Sequence, residues 1–74
     1  MRSFVYRPEE GEVHVDLVAE DGTTVLTTAN FPTEDSTTEF FEQTWNYHCE
    51  EDGVDPLTEE ELAAYSTWIR TQIS

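Results

Sequence analysis

Residues 12–31, EVHVDLVAEDGTTVLTTANF, leave this chain few choices of fold. Across EVHVDLVA, Val13, Val15 and Leu17 fall on one side and His14 and Asp16 on the other, the two-residue period of a half-buried strand. EDG at Glu20 to Gly22 reads as a turn, because glycine accepts the positive φ that tight hairpins demand. Thr23 to Phe31 then returns as the partner strand, with Val25, Thr27 and Ala29 on one side. A lone hairpin is marginal in water and needs a third strand or a helix against its apolar face. SFVYR, Ser3 to Arg7, supplies the strand, and PEEG breaks it. The expectation is a three-stranded antiparallel meander.

After Pro32 the period changes. Ser36 and Glu39 form an S-x-x-E capping box, with Thr33 as an alternative cap. Phe41, Trp45, His48 and Cys49 recur at helical spacing, and Phe40 and Tyr47 widen that stripe. Glu39, Glu42, Asn46 and Glu50 take the opposite side, so the first helix has an acidic outer face. Gly53 is placed to cap its C-terminus. Thr58 and Glu61 make a second capping box, with Leu57 and Leu62 as its hydrophobic staple. Leu62, Tyr65, Ser66, Ile69 and Ile73 continue as a buried stripe with Trp68 at its edge. The predicted fold is α+β, βββαα, two helices on one sheet face, as a single domain over residues 1–74.

Seventy-four residues lie near the lower limit for one self-sufficient core. Nine aromatics make a packed core attainable, and they favour a folded domain over disorder despite the charge. Cys49 is alone, so no internal disulfide forms and a reducing cytoplasm suits the chain. MRSFVYRPEE lacks the apolar core of a signal peptide, and no apolar run reaches the ~20 residues of a membrane span. A cytoplasmic protein of a bacterial or archaeal host is expected.

Charge is the outlier. Seventeen acids face three arginines and no lysine, for a net charge of −14. Such a surface repels nucleic acid and anionic membrane and attracts basic protein surfaces. It also destabilises the fold by self-repulsion, so something favours keeping it. Either the acids are a recognition surface, or they adapt the chain to high salt, which the eleven threonines and missing lysine also fit.

Catalytic and metal chemistry finds little support. His48 and Cys49 are adjacent and diverge on a helix, and His14 alone adds another imidazole, short of a four-ligand zinc site. Glu50, Glu51, Asp52 and Asp55 lack the EF-hand frame. Cys49 has no evident third group to build a nucleophile with His48, and burial explains it better. Two helices on one sheet leave little room for a pocket, and glycine-rich phosphate loops are absent. No enzyme, cofactor or metal is expected.

The acids are individually ordinary. Carboxylates in TEEE meet the positive end of a helix dipole, and Glu39, Glu42 and Glu50 read as a solvated face. Collectively they are not, because from Glu34 to Glu61 no lysine or arginine intervenes. Solvated helices normally mix signs and gain from i,i+4 ion pairs. Carboxylates three or four residues apart on a helix present closely spaced negative charge, as a phosphate backbone does.

A very small, lysine-free, acidic domain of one sheet plus helices resembles the phage-encoded anti-CRISPR proteins and other acidic anti-restriction inhibitors. The resemblance rests on size, charge and element order over the whole chain, and no motif carries it. It implies an inhibitor that binds a basic nucleic-acid-binding complex, such as a CRISPR effector, and blocks DNA entry without touching nucleic acid itself. The partner-binding residues expected are Glu34, Asp35, Glu39, Glu42, Glu50, Glu51, Asp52, Asp55, Glu59 and Glu60. The alternative is a salt-adapted acidic interaction module with apolar partner contacts and no mimicry. Tyr47 and Trp68 could belong to the core or to a patch for a second copy, so oligomeric state stays open.

Overall fold

The structure is a computed structural model and describes residues 1–73. Strands β1 (Ser3–Glu9), β2 (Glu12–Val18) and β3 (Val25–Phe31) form one antiparallel sheet in the order β1-β2-β3. A 3-10 turn (Asp35–Thr38) leads to helices α1 (Phe41–Glu51) and α2 (Glu59–Ile73), so the chain is α+β with βββαα order.

The register follows from the alternation. Phe4, Leu17 and Thr27 lie in one cross-strand row, and Tyr6, Val15 and Ala29 in the next. With Val13 and Phe31 these residues make the inner sheet face, on which Trp45 and Cys49 of α1 and Tyr65 and Ile69 of α2 close. Tyr65 is the centre of the aromatic packing, with Phe41, Trp45, Trp68 and, nearest of all, Phe4 around it; Phe4 in turn reaches both tryptophans. The Phe4 ring stacks on Trp68 at 5.7 Å and meets Tyr65 edge-on at 5.1 Å and Trp45 at 5.5 Å. Trp68 is therefore the half-buried edge of the core. The radius of gyration, 11.2 Å, matches the roughly 11 Å of a close-packed chain this long.

Local chemistry sets most boundaries. In the β2–β3 turn Gly22 has φ +80°, and Asp21 accepts bonds from the backbone N–H groups of Thr23 and Thr24, both at 2.9 Å. The Thr24 hydroxyl, donating to Asp21 at 2.6 Å, and then these backbone bonds hold the Asp21 carboxyl down at about 2, and β3 begins at Val25. Helix α2 begins with the expected box: Thr58 N–H donates to Glu61 at 3.0 Å, and Glu61 N–H to Thr58 Oγ1 at 3.1 Å. Helix α1 ends in a Schellman pattern, where Gly53 (φ +66°) N–H donates to the Glu50 carbonyl and Val54 N–H to that of Cys49.

Four expectations are corrected. Strand β1 runs to Glu9, through Pro8, because an edge strand tolerates a residue without an N–H donor. Val25 lies outside: the register slips at Leu17/Val18, pairing Val18 with Val25, and Leu26 is the neighbour that packs against the core. Ser36 and Glu39 form no capping box. Ser36 instead exchanges bonds with Thr33 around the 3-10 turn, and α1 starts at Phe41 after Phe40, whose φ of 52° and ψ of 21° are left-handed. Glu39 thus precedes α1, and Phe40 and Tyr47 leave the apolar stripe, being 73% and 57% exposed.

The 3-10 turn is pinned from inside. Thr37 is fully buried, and its carbonyl accepts the Tyr65 hydroxyl at 3.0 Å. Burial pushes the Tyr65 phenol well above its ordinary range, so it stays a donor. Among the described residues, the indole N–H of Trp45 is a buried polar group without a hydrogen-bond partner.

Candidate functional site

All ten acids singled out from the sequence are exposed, and among the described residues none is ion-paired to an arginine or histidine. They divide into two groups. Glu34, Asp35, Glu39 and Glu42 lie around the 3-10 turn and the start of α1. Glu50, Glu51, Asp52, Asp55, Glu59 and Glu60 run from the end of α1 through the connector to the start of α2. The outer face of α1 carries Glu42, Asn46 and Glu50 as expected, while Glu39 precedes the helix. Asn46 separates Glu42 from Glu50, which are about 12 Å apart along the axis at 1.5 Å per residue.

Folding explains these acids unequally. Glu59 and Glu60 occupy the first turn of α2, where the dipole favours them, and Glu42 does so in α1. Asp52 accepts a hydrogen bond from the Thr27 hydroxyl and so ties α1 to β3. Glu34 accepts a long bond, 3.4 Å, from Tyr6, whose phenol burial and the nearby carboxylate push up. Glu50 and Glu51 have no such account. They stand in the last turn of α1, where the negative end of the dipole opposes them. The Asp55 side chain is exposed, and only its backbone carbonyl is used, accepting from Arg2 at 2.9 Å.

Arg2 is the residue that holds this region, and nothing local in the sequence marks it. Its guanidinium makes two bonds to Glu61, at 2.9 and 2.7 Å, and others to the carbonyls of Asp55 and Pro56. The pair is nearly dry, with side-chain exposures of 13% for Arg2 and 4% for Glu61. Hydrogen bonding to Arg2 holds the Glu61 carboxyl at about 2 and raises the guanidinium further. Glu61 therefore serves the helix cap and a long-range brace at once. On the open sheet face Arg7 is spent in the same way, gripping Asp16 with two 2.8 Å bonds, and Asp16 also accepts from Thr28 at 2.7 Å. Arg70 bonds the Ser66 carbonyl at 2.7 Å at the far end of α2.

Beside the brace lies an open groove of about 780 Å³, larger than the sequence led one to expect. Leu26, Val54 and Pro56 give it apolar walls, and Glu20, Asp55 and Glu60 its acidic edge. An apolar cleft with a carboxylate rim suits the aliphatic stem and cationic head of a lysine or arginine.

Phe40 adds a different surface. A left-handed conformation costs a side-chain-bearing residue about 1–2 kcal/mol, and Phe40 buries little in return. Phe40→Gly is expected to stabilise the fold by about 1 kcal/mol, read as a higher urea midpoint at unchanged slope.

Among the described residues, His48 and Cys49 belong to no group of three metal-ligating side chains. Cys49 is buried in the core, which raises its thiol pKa, while His48 Nε2 accepts the Asn30 N–H at 3.3 Å. No helix among the described residues is long and apolar enough to cross a membrane. Comparison with protein-family models, curated proteins and solved structures finds no match.

Proposed function

We propose that the protein is an acidic inhibitor that binds the basic surface of a nucleic-acid-binding complex, a CRISPR effector foremost, and blocks DNA entry by mimicking nucleic-acid charge. The supporting observation is how the charges are distributed. Arg2 is locked onto Glu61 and Arg7 onto Asp16 with a longer contact to Glu9, while ten other carboxylates face outward without an ion-paired partner among the described residues. That arrangement leaves the negative field directed at solvent, where it attracts and orients a basic partner. Glu50 and Glu51, set against the dipole of their own helix, give the reading its centre.

A pull-down from a bacterial lysate carrying CRISPR machinery identifies the partner. With it in hand, the protein should compete with duplex DNA, and its affinity should fall steeply between about 50 and about 200 mM salt, as phosphate contacts do. Competition that ignores salt, or binding beside DNA without displacing it, would end the mimic reading.

The second reading, a salt-adapted module with apolar contacts, draws on exposed Phe40 and Tyr47. Circular dichroism separates the two. The mimic folds fully at low salt, whereas a salt-adapted domain gains its helix and sheet signal only near molar salt, where screening removes self-repulsion.

A further inference from the structure

Away from the connector, the β1–β2 hairpin gathers three metal-ligating groups. Its register sets Glu9 directly opposite Glu12, and His14 follows Glu12 by two residues, on the same face of the strand. One ligand atom from each of Glu9, Glu12 and His14 lies within 4.8 Å of the other two. His14 Nε2 is 3.6 Å from a Glu9 oxygen and in hydrogen-bond contact with Glu12. Ligands bound at roughly 2.0–2.2 Å to one ion stand about 3–4 Å apart, so small side-chain rotations would complete the set.

His14 is the side chain that bridges the two carboxylates. Like charges facing one another across two strands destabilise the pair. Arg7, the nearby cation, does little to relieve them: it is committed to Asp16 and reaches Glu9 only at 3.7 Å. We propose that Glu9, Glu12 and His14 form a binding site for a divalent first-row transition ion of the zinc type. Two carboxylates and a neutral imidazole balance a divalent charge, and the charge of Arg7 is cancelled locally by Asp16. An imidazole ligand disfavours magnesium and calcium, which take oxygen donors. Glu9 and Glu12 are exposed and His14 half-buried, so water reaches the remaining coordination positions. The bound ion clamps the two strands beside the Glu10–Gly11 turn that joins them.

Calorimetric titration of the whole chain with zinc chloride tests the site. Sodium chloride at about 0.5 M screens the diffuse attraction of cations to an acidic surface but not direct ligation. One zinc per chain is expected, with magnesium at least about tenfold weaker. His14→Ala and Glu12→Gln should each weaken zinc at least about tenfold, the loss typical of damage to a metal's coordination. His48→Ala, checked for fold by circular dichroism, should leave it unchanged. The nitrogen NMR signal of the His14 imidazole should shift with zinc in the unmutated chain, which needs no variant to fold. Zinc binding indifferent to His14→Ala, an equal loss in folded His48→Ala, or magnesium matching zinc would overturn the assignment.

Discussion

Replacing Arg2 with alanine is expected to destabilise the fold by about 3 kcal/mol, the lower end for breaking a buried ion pair by removing one partner. The cost arises because the Glu61 carboxylate, 4% exposed, keeps its charge and loses its cation. A 74-residue domain has only roughly 4–11 kcal/mol in total, so the loss is large. Glu61→Gln should be milder, since an amide oxygen still accepts the Thr58 N–H. Urea unfolding measures both.

The same pair fixes the acid limb of stability. Its folded pKa, about 2, lies below the roughly 4.3 of an unfolded glutamate. The contribution is therefore complete above the unfolded value and is lost as pH falls through 4.3 toward 2. Asp16, lowered chiefly by its bond to Arg7, acts in the same direction. Self-repulsion acts oppositely, because the net charge of −14 at neutral pH vanishes near the isoelectric point of about 4.1. Stability at low ionic strength should thus rise from pH 7 to a maximum around pH 4–5 and drop below it. Molar salt should flatten the upper limb alone, and Arg2→Ala should blunt the acid limb. Melting temperatures that fall steadily from pH 7 to 5 at low salt would contradict this balance.

Where a signal is local, it was readable along the chain. The turn at Gly22, the Thr58–Glu61 box and the Gly53 cap each span a few residues and formed as spaced. Ser36 and Glu39 have equally good spacing but lost to competition: Thr33 takes the Ser36 hydroxyl, and Tyr65 anchors Thr37 from the core. The slip at Leu17/Val18 reverses Val25 although its alternation reads inward, because a bulge depends on what the partner strand buries. Arg2 and Glu61 are 59 positions apart, and no periodicity links them. For the candidate site, exposure of the ten acids was legible from composition and their split from the acid-free run Gln43–Cys49, but the placing of Glu39 before α1 was not. It depends on where α1 begins, and Phe40 rather than a cap decides that.

The largest effect on binding is expected from Glu50→Lys, Glu51→Lys and Asp55→Lys combined. Asp52 is left in place because it holds Thr27, whereas the exposed Asp55 side chain makes no hydrogen bond among the described residues and favours Arg2 only through its charge, the smallest of the influences on that guanidinium. If these acids face a basic partner, reversal sets like charges against one another at several kcal/mol in total, a loss of at least about a thousandfold in affinity. Stability should move the other way. Lysines at positions 50 and 51 complement the C-terminal end of α1, and the net charge falls from −14 to −8. A variant that melts higher yet no longer binds separates recognition from folding, which simple loss of binding cannot do. Glu59→Lys with Glu60→Lys is the counter-case: it opposes the dipole at the start of α2 and should lower stability. The reversal of Glu34, Asp35, Glu39 and Glu42 then reports whether the partner spans both acidic groups. Undiminished binding by the triple variant would remove the connector from the recognition surface.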